Sequence, residues 1–131
     1  MGMIDILIKA ESRFPINRKL IREKTKQVIE QHKVKGDIEV EVLVVGDRKM
    51  RTLNRTFRHL DETTDVLSFP LQDAATPGTF VEADEILRLG SVVISYPQAV
   101  VLAGSENRMV DEAVGRLLEH GILHLLGIHH E

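Results

Sequence analysis

Cysteine is absent from the 131 residues, which excludes disulfides, thiolate nucleophiles and cysteine-ligated metals. Histidine, present six times, is left as the strong zinc-ligand type. Tryptophan is also absent and tyrosine occurs once, so the chain has little from which to build an aromatic platform for stacked bases. No apolar run reaches signal-peptide or membrane-span length, so a soluble cytoplasmic protein without a membrane partner is expected. No internal repeat is present. With 43% hydrophobic and 28% charged residues, the composition suits a single globular domain over residues 1–131.

The net charge of −3 hides a division. Residues 1–60 carry 14 Lys and Arg against 8 Asp and Glu, whereas residues 61–131 carry 3 against 12. A basic lobe beside an acidic, histidine-containing one suits a polyanionic substrate held by one part and cut at the other. Uneven solvated charge is the plain alternative.

Residues 3–9 alternate as a short strand, with Ile4, Ile6 and Ile8 on one side. Asn17 is placed to cap a helix over 18–33 whose apolar stripe is Leu20, Ile21, Val28 and Ile29. Ile38 to Val45 reads as a strand with one wet face. Asp47 is expected to cap a helix over 48–59, with Met50, Leu53, Phe57 and Leu60 along one side. Arg48, Arg51, Arg55 and Arg58 run along another, a rail suited to phosphates because the guanidinium fork matches their oxygens. Val66 to Phe69 is a short strand stopped by Pro70, and 71–86 a surface loop. Leu89 to Ser95 is a strand whose Gly90 permits close approach of another backbone. Pro97 opens a short helix ending by Gly104, and Ser105 caps a final helix running to about Leu126. These elements imply an α+β fold, a small mixed four-stranded sheet packed with helices.

The final helix ends in His120-Gly121-Ile122-Leu123-His124-Leu125-Leu126-Gly127-Ile128-His129-His130. Histidines at i and i+4 project from one helix face, and a glycine three residues on can stop the helix in a left-handed turn. The chain can then double back and offer a third imidazole, leaving a fourth position open, which is what a catalytic zinc site requires. Two satisfied core histidines and a frayed terminus are the bland alternative, less compatible with three imidazoles at these spacings. The pattern is zincin-like, but Gly121 stands where a zincin carries its general base Glu. Peptide hydrolysis therefore lacks a base, while phosphodiester cleavage needs charge neutralisation and an activated water, which a metal ion with an arginine supplies. Arg58 is the candidate arginine, and Asp65 or Ser68 is a candidate for orienting a water or a ligand imidazole. Glu119 projects about 100° around the helix from His120 and is not assigned as a base.

Three blocks carry a family resemblance: Leu53 to Arg58 followed by Thr64-Asp65-Val66-Leu67-Ser68-Phe69-Pro70, then Leu89 to Ser95, then His120 to His130. In order and separation they resemble the bacterial YbeY family of single-strand-specific, metal-dependent endoribonucleases that mature ribosomal RNA near the 3′ end of the small-subunit rRNA. The resemblance implies one Zn²⁺ ion held by His120, His124 and His130, with Arg58 as the active-site arginine. It also implies single-stranded rRNA and the ribosome or small-subunit assembly proteins as partners. This chain departs from the family pattern with His129 where Asp is usual, Ser91 where Asp is common and Thr64 where Pro is common. His129 is thus a second candidate third ligand, with spacing favouring His130. A metallopeptidase and a nonenzymatic metal-binding ribosome-assembly factor are the alternative functions.

Overall fold

The computed structural model describes residues 2–71 and 86–128. The elements run β1 (Ile4–Ala10), α1 (Arg18–Gln31), β2 (Ile38–Val45), α2 (Asp47–Arg58), β3 (Val66–Pro70), β4 (Leu87–Ser95), α3 (Tyr96–Glu106) and α4 (Val110–Leu125). The four strands form one mixed sheet in the order β1-β2-β4-β3. β1 pairs with β2 and β2 with β4 in parallel, while β3 runs antiparallel to β4 and forms the edge. This is the expected α+β fold. The loop expected over 71–86 lies, apart from its two ends, outside the described residues.

Alternation decides which side of each strand is covered. Ile6, Ile8, Val40, Val42, Val44, Val92 and Ile94 share one core with Ile21, Val28 and Ile29 of α1 and with Ala113, Val114, Leu117, Leu118 and Ile122 of α4. Full burial of such side chains contributes about 1.5–3 kcal/mol each. The intervening positions face the other way, where α2 seats Met50 and Leu53 against Leu43, Val45, Leu67, Phe69 and Val93. α2 and α4 therefore lie on opposite faces of the sheet. Beyond α2, that second face is polar: Glu41 of β2 pairs with Lys9 of β1 at 3.3 Å and accepts a 3.0 Å hydrogen bond from Ser91 of β4.

Several local expectations hold in detail. The Asn17 side chain caps α1 by accepting from the Leu20 N–H at 3.1 Å. Gly90 has φ +126°, and a Cβ there would collide with the backbone of Phe69 to Leu71, so close approach of β3 is indeed what this glycine permits.

Two expected helix starts are corrected. Ser105 does not cap the final helix: it belongs to α3, where its hydroxyl donates to the Leu102 carbonyl at 3.0 Å. The break comes at Asn107, in the left-handed region with φ 55°, and α4 starts only at Val110. The break expected at Gly104 to Ser105 thus falls a few residues later, at an asparagine able to adopt αL. Asp47 likewise is not a cap. Gly46 holds that position, and Asp47 is the first helical residue, with its carboxylate turned to other partners.

Candidate functional site

α4 crosses β3 and β4, and the crossing is close because Gly121 lies directly on the sheet. A Cβ on Gly121 would stand 2.5 Å from Val92 Cγ1 and 3.1 Å from Cγ2. Tight packing against the sheet is what this glycine provides. A glutamate at this position has nowhere to go without lifting the helix from the strand.

On either side of Gly121 in sequence, one turn apart, His120 and His124 stand together with ring centroids 4.3 Å apart and planes at 45°. They continue the Ala113–Leu117 line beyond the core, so His120 is exposed and His124 half-buried. The pairing follows from the i, i+4 geometry of the helix. Glu119, the neighbour of His120, points to α1, where Lys24 lies 3.5 Å away. That ion pair accounts for Glu119 and separates it from the histidines.

The helix ends as the glycine predicts. Gly127 has φ 78°, its N–H donates to the His124 carbonyl at 3.0 Å, and the Ile128 N–H donates to the Leu123 carbonyl at 2.9 Å. This pair of bonds is a Schellman motif, and it turns the chain back over the last helical turn with Ile128 packed on the core. His129 and His130, the two candidate third ligands, lie outside the described residues. Among the described residues no group of three or more His, Asp or Glu side chains is gathered as a metal site. Two adjacent imidazoles with a chain reversal immediately after them are nonetheless a donor set that fits zinc.

Arg58 belongs to the helix on the other face of the sheet. It is the last residue of α2, next to Phe57, whose ring meets Phe69 of β3 edge to face with centroids 5.1 Å apart. Alternation along β3 assigns Leu67 and Phe69 to the α2 side, while Ser68 pairs with Val92 and so shares the α4 side. α4, which carries the histidine pair, and α2, which ends in Arg58, thus pack on opposite faces of the sheet. Ser68, half-buried, stays a candidate for orienting a ligand or water at this position. Asp65 is less suited, because its Oδ1 accepts from the Val66 N–H at 2.8 Å and is turned onto its own strand.

The four arginines of α2 do not form one uniform rail. Arg51 holds Asp61 through Nε–Oδ1 and Nη2–Oδ2 hydrogen bonds of 2.9 and 3.1 Å, with Arg55 3.7 Å away. These hydrogen bonds, with the charge of the two guanidiniums, keep the Asp61 carboxyl below the usual carboxylate range. Arg48 and Arg58, at the two ends of the helix, carry no ion pair among the described residues.

Two residues that position Arg58 were missed in the sequence. Asp47 accepts from Ser95 Oγ at 2.8 Å, Thr63 Oγ1 at 3.0 Å and Gln98 Nε2 at 3.1 Å, pinning the start of α2 to the start of α3 and to the segment entering β3. Asn54 is 2% exposed and donates to the Glu62 carbonyl at 2.9 Å, fixing the turn that follows Arg58. Its signal was present: Met50 and Asn54 fall at i and i+4, so a polar residue sits on the line of the buried methionine.

The comparisons with known proteins bear on the family and the fold. The family model described as endoribonuclease YbeY matches residues 7–131. The chain is 45% identical over 97 residues to a protein named endoribonuclease YbeY from Anaeromyxobacter sp. (strain Fw109-5), a match covering 74% of this chain but 46% of that one. It is 33% identical over 135 residues to the protein of that name from Dehalococcoides mccartyi (strain CBDB1), covering 98% of this chain and 81% of its relative. Some curated relatives are thus about twice the length that the chain spans. The solution structure of TM1509 from Thermotoga maritima superposes with a TM-score of 0.61 at 28% identity, over 96% of this chain and 75% of that one.

Proposed function

The chain belongs to the YbeY family, and from that premise we propose that it is a single-strand-specific, zinc-dependent endoribonuclease. Its proposed role is in rRNA maturation, at the 3′ end of the small-subunit rRNA, and in ribosome quality control. The proposed catalytic unit is one domain over 1–131, working in the cytoplasm with the ribosome or small-subunit assembly proteins as partners. The observation that carries the reading is the His120–His124 pair on one helix face, followed at once by the chain reversal at Gly127.

In this reading His120, His124 and His130 hold one zinc ion. His130 is two residues beyond Ile128 in sequence, directly after the chain reversal at Gly127. The chemistry such an ion supplies is Lewis acidity toward phosphoryl oxygens and acidification of water toward neutral pH. Arg58 binds the scissile phosphate and offsets the charge that accumulates on its oxygens, the guanidinium fork fixing orientation. Ser68 orients a water or an imidazole from the strand beneath α4. Peptide hydrolysis is disfavoured, since the position of its general base is occupied by the contact between Gly121 and Val92.

The test is cleavage of single-stranded rRNA by purified protein. Chelator, Arg58→Ala and His124→Ala should each abolish it, with zinc restoring the chelated sample. Cleavage retained by both variants refutes the mechanism. Stoichiometric metal without metal-dependent cleavage would instead assign a binding role in ribosome assembly.

A further inference from the structure

Phe57 is 60% exposed although it is one of only four phenylalanines and lies beside the arginine on which the function depends. The scarcity of aromatic residues argued against an extended stacking platform, and Phe14 and Tyr96 are spent on each other, stacked with centroids 5.0 Å apart. Phe57 is different. Its contact with Phe69 is edge to face at 67°, an arrangement in which the partner covers at most one face of the ring. At least one face of Phe57 is therefore open to a planar ligand.

Its neighbours say which ligand. Arg58 follows directly, its Cα about 3.8 Å away and its side chain turned about 100° around the helix. Arg55 and Arg51 lie on the same helix toward its start. An apolar ring face beside an unpaired guanidinium matches a nucleotide, which presents a planar base and an anionic phosphate a short distance apart. Resting on the proposed ribonuclease reading, we propose that Phe57 is a positioning residue that stacks one unpaired base of the RNA while Arg58 holds the adjoining phosphate. Phe69, braced by β3, fixes the ring from behind. A base within a duplex is paired and stacked on its neighbours, so this contact selects single strands.

The experiment compares Phe57→Leu, which keeps an apolar contact with Phe69, with Phe57→Tyr, which keeps the ring. Affinity of the full chain for a short labelled single-stranded RNA is measured by anisotropy, with metal loaded and in chelator, where the strand is not cut. Phe57→Leu should bind about tenfold more weakly, the value of one base–aromatic stack, and Phe57→Tyr like the unsubstituted protein. An abasic ribose-phosphate strand should bind all three equally. The chain has no tryptophan, so Phe57→Trp places a single reporter whose emission should fall as RNA is added. Undiminished RNA affinity in Phe57→Leu, or an equal loss toward the abasic strand, overturns the proposal while leaving the ribonuclease reading standing. Failure of the unsubstituted protein to bind RNA at all refutes that reading and the stacking role with it.

Discussion

Replacing Gly121 with alanine sets two effects of opposite sign against each other. In a helix interior, alanine is favoured over glycine by about 1 kcal/mol, so propensity alone predicts stabilisation. Packing predicts the reverse. The added Cβ would meet three atoms of one valine: Cγ1 at 2.5 Å, Cγ2 at 3.1 Å and Cβ at 3.3 Å. A χ1 rotation of Val92 replaces one methyl by another and cannot move its Cβ, and the residue is held in the centre of β4 with no exposure. Relief requires α4 to shift away from the sheet, and overpacking of this kind costs about 1–3 kcal/mol. With the propensity gain subtracted, Gly121→Ala should destabilise the fold by about 1 kcal/mol, lowering Tm by about 4 °C. The assay is urea denaturation of Gly121→Ala, Val92→Ala and the double variant. Val92→Ala removes all but the Cβ of the opposing side chain, so in that background the alanine at 121 should be neutral or stabilising, giving a coupling of at least about 1 kcal/mol. Stabilisation of the single variant, or additivity in the cycle, would refute the claim that contact with the sheet excludes a side chain at 121. It would thereby remove the structural ground for rejecting a peptidase-type base there.

Three further outcomes follow from named contacts. Burial pushes the Asp47 carboxyl up, but hydrogen bonds from Ser95, Gln98 and Thr63 outweigh it and leave the pKa below its usual 3.8. A depressed folded-state pKa means that the unfolded chain binds the extra proton, so Asp47 stabilises fully above about pH 4 and less as pH falls through the folded value. Asp47→Asn should therefore lose stability near pH 7 in urea melts, and its deficit should shrink below pH ~4; a constant deficit would contradict this. Gly127→Ala forces a Cβ into the left-handed region at φ 78° and should cost about 1 kcal/mol of stability. If the Schellman turn delivers the third ligand, zinc affinity measured by competition with a chelating dye should fall by more than that loss accounts for. Asp61→Asn frees Arg51 and Arg55, so single-stranded RNA should bind more tightly, with a log–log salt slope steeper by about 1.4 if both guanidiniums reach phosphates.

What could be read in advance tracks how locally each feature is determined. The strand Ile38–Val45 was legible to the residue because its alternation of buried and half-buried positions is a property of the strand itself. The His120–His124 pairing and the Gly127 turn were legible for the same reason, each being settled within one or two helical turns. The break between α3 and α4 was read at Gly104 to Ser105 but falls at Asn107, because the left-handed backbone of one residue marks the end of α3. Asp47 shows the other kind of miss. A carboxylate at a helix start is favoured by the local dipole whether or not it caps, and its actual partners, Thr63, Ser95 and Gln98, come from segments remote in sequence. Membership of the arginine stripe was visible from spacing, but Asp61, which ties up its middle, was visible only as a polar residue after the helix.

The proposed site is drawn from two helices that lie on opposite faces of the sheet. A central strand is flanked on each side by others, so helices on its two faces are separated by the whole sheet. Among the described residues β3 has no strand beyond it, and α4 and α2 pack against it from opposite faces. In the proposed function, a strand of RNA laid along that edge would present one phosphate to the histidines and to Arg58. This requires α4 to press closely on β3 and β4, which Gly121 permits, and α2 to keep its last turn on β3, which Phe57, Phe69 and Asn54 secure. The absence of a side chain at 121 and the apolar contact at 57 are thus two conditions of one arrangement. The first lets α4 lie against the sheet, and the second, which leucine can also make, seats the last turn of α2 on Phe69.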